Sequence, residues 1–144
     1  MVTGRASTFG GGIRTKPGLV NITDPLGAQI EFLASENYTV KRSGATLLAT
    51  GIAADVNGNK IVKAGTVLGK KTSGPNVGMY VPYADDATEG ADTAVGFLFA
   101  GDMNVRDGDW FAIGVMITGS VIAARCTGLT TAARADLAAH FTFQ

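Results

Sequence analysis

From Tyr38 to Phe143 the chain is cut into short apolar runs by glycine-bearing turns, and this punctuation narrows what it can fold into. The runs are "YTVKR" (38–42), "TLLATGIAA" (46–54), "TVLGK" (66–70), "MYVPY" (79–83), "AVGFLFA" (94–100), "WFAIGVMIT" (110–118) and "SVIAA" (120–124). Each is rich in β-branched or aromatic residues, which suit a pleated and half-buried surface. Glycine supplies 20 of 144 residues, about twice its usual share of roughly 7%, so turns are frequent. Asn57-Gly58, between Val56 and "KIV", is a hairpin-turn signal. Pro82 predicts an edge position for "MYVPY", because proline has no N–H for a second neighbour. Gly119 marks a corner between the last two runs.

One stretch, "TTAARADLAAH" (130–140), predicts a helix, with a Thr cap, an alanine-rich body and His140 in its last turn. "FTF" (141–143) then reads as a closing strand. The expected fold is mainly β: a small β-sandwich or barrel-like domain with one short C-terminal α-helix and an extended N-terminal arm. Hydrophobic residues make up 46% and charged residues 17%, enough apolar content for one packed domain.

Residues 1–36 have the character of that arm, and residues 37–144 that of a β-rich domain. "STFGGGIRTKPG" reads as flexible or extended, with a turn at Pro17-Gly18. "LVNIT" and "QIEFLA" are short β-like pieces around a turn at Asp24-Pro25-Leu26-Gly27. The apolar side chains of the arm are Ile13, Leu19, Val20, Ile22, Leu26, Ile30, Phe32 and Leu33. Their burial returns less than the conformational entropy of ordering the segment, so the arm needs the domain, a neighbouring subunit or a partner's sheet edge to lie on.

The net charge is zero, yet it is unevenly spread. Residues 1–72 hold nine basic and four acidic groups, and residues 73–144 hold three basic and eight acidic. Within the first 23 residues every charge is basic: Arg5, Arg14 and Lys16. Such asymmetry suits docking on an acidic surface or complementary contact between subunits. The basic residues are scattered and lack interleaved aromatics, which argues against direct nucleic-acid binding. No apolar run approaches the ~18 residues of a membrane helix, and "MVTGRASTFGGG" lacks the apolar core of a signal peptide. A single cysteine, Cys126, excludes an internal disulfide framework and points to synthesis in a reducing compartment.

Several stretches imitate chemistry without completing it. "AGTVLGKKTSG" (64–74) looks like a phosphate-binding loop, but only three residues separate Gly65 from Gly69, and Lys71 stands where the metal-binding hydroxyl belongs. The two glycines are better read as flanking a strand. "DVNGNK" (55–60) and "DMNVRDGD" (102–109) imitate calcium loops; Lys60 replaces the required glycine in one, and Arg106 takes a ligand position in the other. Both are better read as turns. Asp85, Asp86, Glu89 and Asp92 could pair as catalytic carboxylates, but their Thr/Ala/Gly surroundings offer no aromatic wall. With one His and one Cys, fourteen residues apart, a zinc site is close to excluded. Cys126 reads as a packed thiol. The expectation is a chain that is not an enzyme and uses no cofactor, metal or small-molecule substrate.

Taken in order, "VKAGTVLGKKTSG", "MYVPY", "TEGADTAVGFLFA", "VRDGDWFAIGVMITGSV" and "GLTTAARADLAAHFTF" resemble the lambda-type head decoration proteins of tailed phages. In that family a "GTVLG" strand leads to a "KYV-Y" strand, an acidic Ala/Thr/Gly loop and an "AVGIL" strand. A Gly-Asp turn, a long apolar strand, a short alanine-rich helix and a terminal aromatic strand follow. The resemblance spans roughly residues 38–143. It implies a homotrimer on the outer surface of the virion head, made in the host cytoplasm, that cements major capsid protein subunits after expansion. It also implies an N-terminal arm ordered on the shell. On that reading Arg5, Phe9, Ile13, Arg14, Lys16, Leu19, Val20, Ile22, Ile30 and Phe32 are capsid-binding arm residues, while Phe97, Phe99, Trp110, Phe111 and Val115 form the trimer interface or the core. The alternative is a phage tail, baseplate or surface-adhesion β-domain.

Overall fold

A computed structural model of the chain describes residues 32–144. The expected turns at 17–18 and 24–27, and the β-like pieces before Phe32, lie outside the described residues. The ordered body is mainly β, a curled half-barrel sheet with one short C-terminal helix. Its strands are β1 (Thr39–Lys41), β2 (Thr46–Leu48), β3 (Ile61–Val62), β4 (Val67–Lys70), β5 (Tyr80–Pro82), β6 (Ala94–Leu98), β7 (Met103–Asn104), β8 (Trp110–Ala112), β9 (Val115–Val121) and β10 (Phe141–Phe143). Helix α1 spans Thr131–Leu137, and a 3₁₀ turn at Ala123–Arg125 precedes it.

Seven strands line up in the order β8-β2-β5-β4-β6-β9-β10, with β1 added on β9; β3 and β7 form a separate pair. The central pairings are antiparallel: Val67 faces Phe97, Leu68 faces Gly96, Phe97 faces Met116 and Leu98 faces Val115. Neighbouring residues on a strand point to opposite faces, and here both faces are covered. Val67, Phe97 and Met116 join one buried cluster with Phe32, Leu137 and Phe141. Leu68, Leu98 and Val115 join a second with Leu47, Val62 and Val105. This explains the unbroken apolar run "AVGFLFA": a strand with a core on each side has no polar face to alternate with.

Several local expectations change on folding. Pro82 does not lie on an edge, because β5 sits between β2 and β4. The Tyr83 N–H donates to the Val67 carbonyl at 2.9 Å, so the alternate amides, and with them the Pro82 nitrogen, face β2. Pairing with β2 there consists of Leu47 opposite Tyr80 alone, and the missing donor costs nothing. Asn57-Gly58 does form a tight turn, with Gly58 at φ 81°, but no hairpin. Asp55 Oδ1 accepts from the amides of Asn57 and Asn59, and the strand that follows pairs with β7 far along the chain. Gly119 is no corner; β9 runs through it, and the break falls at Ile113-Gly114 instead.

The helix ends at Leu137, three residues before His140, which lies in the turn beyond and donates its N–H to the Leu137 carbonyl at 3.0 Å. Gly65 precedes β4, whereas Gly69 lies inside it, paired with Val81 and Ala94, instead of flanking it. Gly65 has φ 78°, and a Cβ there would meet the Phe32 ring at 2.7 Å. Lys70 lies over the Tyr80 ring, and Lys71 pairs with Glu89.

Phe32 belongs to the body, not to the arm. It is 2% exposed, its ring packs 6.0 Å from that of Phe97, and its carbonyl accepts from the Ile122 N–H at 2.7 Å. Leu33 bridges to Val121 beside it. Burial of so large a ring anchors the chain at that point. Phe32→Ala is expected to cost about 3–5 kcal/mol, read as a lowered midpoint in urea denaturation with an unchanged slope.

Candidate functional site

Two surface features stand out once the cores are assigned. The first is an apolar groove of about 460 Å³ bounded by residues from β2, β3 and β5 and from the loops that follow β2 and precede β4. Leu48, Val62, Val81 and Pro82 form much of it, Gly51, Ile52 and Ala53 make one wall, and Lys63, Thr66 and Thr127 make another. Ile61, also in the lining, is 47% exposed. Beside the groove lies Trp110, 64% exposed on strand β8 at the end of the sheet order and directly opposite Leu48. An exposed tryptophan beside an open apolar groove is uncommon on a surface with no partner, and tryptophan is the residue type most enriched where binding energy concentrates.

The second feature is the acidic loop between β5 and β6. Asp85 Oδ1 accepts from the Tyr83 hydroxyl at 2.6 Å and from the Thr130 hydroxyl at 2.8 Å. Thr130 in turn accepts the Ala133 N–H at 3.2 Å, capping α1. One carboxylate thus joins a strand end, a loop and a helix start. The Tyr83 and then the Thr130 hydroxyl hold the Asp85 carboxyl below its ordinary value of 3.8. The same contact with Asp85 raises the Tyr83 phenol. Glu89 pairs with Lys71, and its carbonyl accepts the Thr72 N–H at 2.7 Å. Farther along, Asp136 Oδ2 accepts the Ala94 N–H at 3.0 Å, tying α1 to β6. Asp85 and Glu89 are therefore structural ties, while Asp86 and Asp92 are exposed.

The residues singled out from the sequence scatter among these features. Arg5, Phe9, Ile13, Arg14, Lys16, Leu19, Val20, Ile22 and Ile30 lie outside the described residues. Phe97 and Val115 are fully buried, one in each core, and so do not reach a subunit seam. Phe99 is half-buried, 5.0 Å from the Tyr38 ring with the Arg42 guanidinium over it. Phe111 is half-buried against the second core. Trp110 is not a core residue at all. Among the described residues no three His, Cys, Asp or Glu side chains come together as metal ligands, and no helix is long and apolar enough to cross a membrane. Burial pushes the Cys126 thiol up to about 11, where the reactive thiolate is scarce at neutral pH.

The groove and the Asp85 tie were both missed in the sequence, since each joins residues more than 40 positions apart. Ile52 and Ile61 lie in stretches that read as strands, so nothing in the sequence set them apart as groove residues. No protein-family model, curated protein or solved structure matches the chain.

Because the folded pKa of Asp85 is depressed, its contribution to stability is present above the ordinary carboxylate value and is lost as pH falls through the folded value. Asp85→Asn is therefore expected to flatten the acid limb of the stability curve below pH 3.8, followed by circular dichroism. Thr130→Ala removes both the helix cap and a partner of Asp85, and should cost about 1 kcal/mol at neutral pH.

Proposed function

We propose that the chain is a capsid decoration protein: a rigid β body that binds as a trimer to the outside of an expanded phage head and holds adjacent major capsid protein subunits together. The supporting observation is the order of the resembling stretches along the body. "GTVLG" lies on and before β4, "MYVPY" on β5, the acidic loop next, "AVGFL" on β6, the Gly108-Asp109 turn before β8 and β9, and the alanine-rich helix and aromatic strand at the end. This role calls for no reactive group. Reinforcement needs a stiff body, a seam between copies and contacts with several shell subunits at once.

The seam is assigned to Trp110 and the half-buried Phe111 on β8, because an end strand carrying an exposed aromatic can meet its symmetry copy without unfolding anything. The residues before Phe32, with Arg14 and Lys16 among apolar Leu19, Val20 and Ile22, supply the shell contacts. Three such segments acting together convert weak single contacts into a durable clamp, by a factor of ~10²–10⁴. Only the expanded lattice sets the docking edges at the spacing that lets all three engage.

A second reading, surface adhesion, draws on the same exposed Trp110, which could stack on a sugar ring. The two are separated by mixing purified protein with expanded and unexpanded heads and imaging them by electron microscopy. Decoration predicts added density at three-fold and quasi-three-fold positions of expanded heads alone; glycan-array signal with bare heads would support adhesion and end the decoration reading. Deleting residues 1–31, which spares Phe32, should leave the body's circular dichroism unchanged and weaken head binding ~100-fold or more. Trp110→Ala should leave monomer stability within ~0.5 kcal/mol and shift the trimer toward monomer in sedimentation.

A further inference from the structure

We propose that the apolar groove between β2, β3 and β5 is the docking site for the chain's own segment Leu19–Thr23, held there in cis. The argument begins with where the chain enters the body. Phe32 packs on Gly65, and Gly65 lies between Lys63 and Thr66, both on one wall of the groove. The Thr127 N–H donates to the Gly65 carbonyl, and Thr127 lines the same wall. The segment that precedes Phe32 therefore starts beside the groove. Thr23 is nine residues back, a reach of up to about 30 Å at roughly 3.3 Å per residue, ample to cross the groove.

Size and chemistry agree. A volume of about 460 Å³ falls within the roughly 300–1,000 Å³ of clefts that bury a ligand. The floor is aliphatic, from Leu48, Val62, Val81 and Pro82, and "LVNIT" carries three aliphatic side chains in five residues. The flanking charges also set a direction. Lys63 stands on the wall near Phe32, and Asp24 directly follows the docked segment. On the wall of Gly51–Ala53, the carboxylate-bearing Asp55 lies two residues beyond. Arg14 and Lys16 precede Leu19. With the C-terminal end of the segment toward Lys63, each charged flank meets its opposite. Docking also shelters Ile61, half exposed in the groove lining, and gives the apolar part of the leader a resting place that a partner must displace it from.

The test uses the full chain and does not involve phage heads, so its result is independent of the decoration reading. Ile61→Cys, and separately Lys63→Cys, place a thiol in the groove; Val56→Cys, at a residue 99% exposed and absent from the lining, is the control. Maleimide labelling is followed by mass spectrometry of each cysteine peptide, with native Cys126 counted separately. Docking predicts labelling of the groove thiols at least tenfold slower with the native leader than with Leu19→Asp, Val20→Asp and Ile22→Asp combined. The control thiol should react equally in both. The difference should persist on hundredfold dilution. Equal rates in both leaders would overturn the proposal. So would protection that disappears on dilution, which would place a second copy's leader in the groove, or protection that survives the Asp substitutions, which would mean another surface covers it.

Discussion

The body depends on three neighbouring strands, β4, β6 and β9, each of which sends adjacent residues into two different cores. Val67 and Leu68, Phe97 and Leu98, and Met116 and Val115 are each a pair divided between the two faces. A slip of one residue in any pairing would exchange the two sets and misfit both cores, so the register is fixed from two sides. Close approach of the strands adds to this constraint. Gly96 stands opposite Leu68, and a side chain there would press on Val115. The two faces are covered differently: the Phe32, Phe97 and Phe141 rings and α1 lie on one, and Leu47, Leu68, Leu98 and the β3–β7 pair on the other.

That arrangement determines what is left over for the surface. Helix α1 is short and is held to the body by buried Ala133 and Leu137 and by two carboxylates. Asp85 reaches Thr130 at its start, and Asp136 reaches the Ala94 amide from its body. The acidic loop is thus partly spent on tying the helix to the sheet. Trp110 is left outside because β8 ends the sheet order, where no element among the described residues covers it. The groove opens for a related reason. Strand β2 pairs with β5 at one residue pair only, and the chain then leaves the sheet through Gly51–Ala53 and next forms β3, in the separate pair with β7. An incomplete pairing leaves apolar side chains with a free flank.

A protein of this design would act through shape and number of contacts. On the decoration reading, stiffness would come from the double core and specificity from the edges and grooves around it. Keeping the leader's apolar residues against the body when no shell is present would also reduce nonspecific association, since exposed aliphatic segments are what draw chains together.

The sequence by itself determined that this chain is mainly β with one capped C-terminal helix, because β-branched runs, glycine turns and a Thr-started alanine stretch act locally. The stretch 55–60 is a turn and 67–70 a strand, as their residues suggest, whereas Met103–Asn104 in the turn-like stretch 102–109 pairs as β7, a partnership set by Ile61–Val62 far earlier in the chain. The sequence could not determine which strands are neighbours. Pro82 looked like an edge residue because its missing donor is visible in sequence, whereas the short partner that makes the loss harmless is set by a strand more than 30 positions away. Phe32 looked like part of the arm because it lies in a short β-like piece set apart from the regular strand series, and only the packing of Gly65, Phe97 and Val121 around it made it core. Burial, edges and grooves are properties of elements brought together from distant parts of the chain, and those the tertiary structure alone decided.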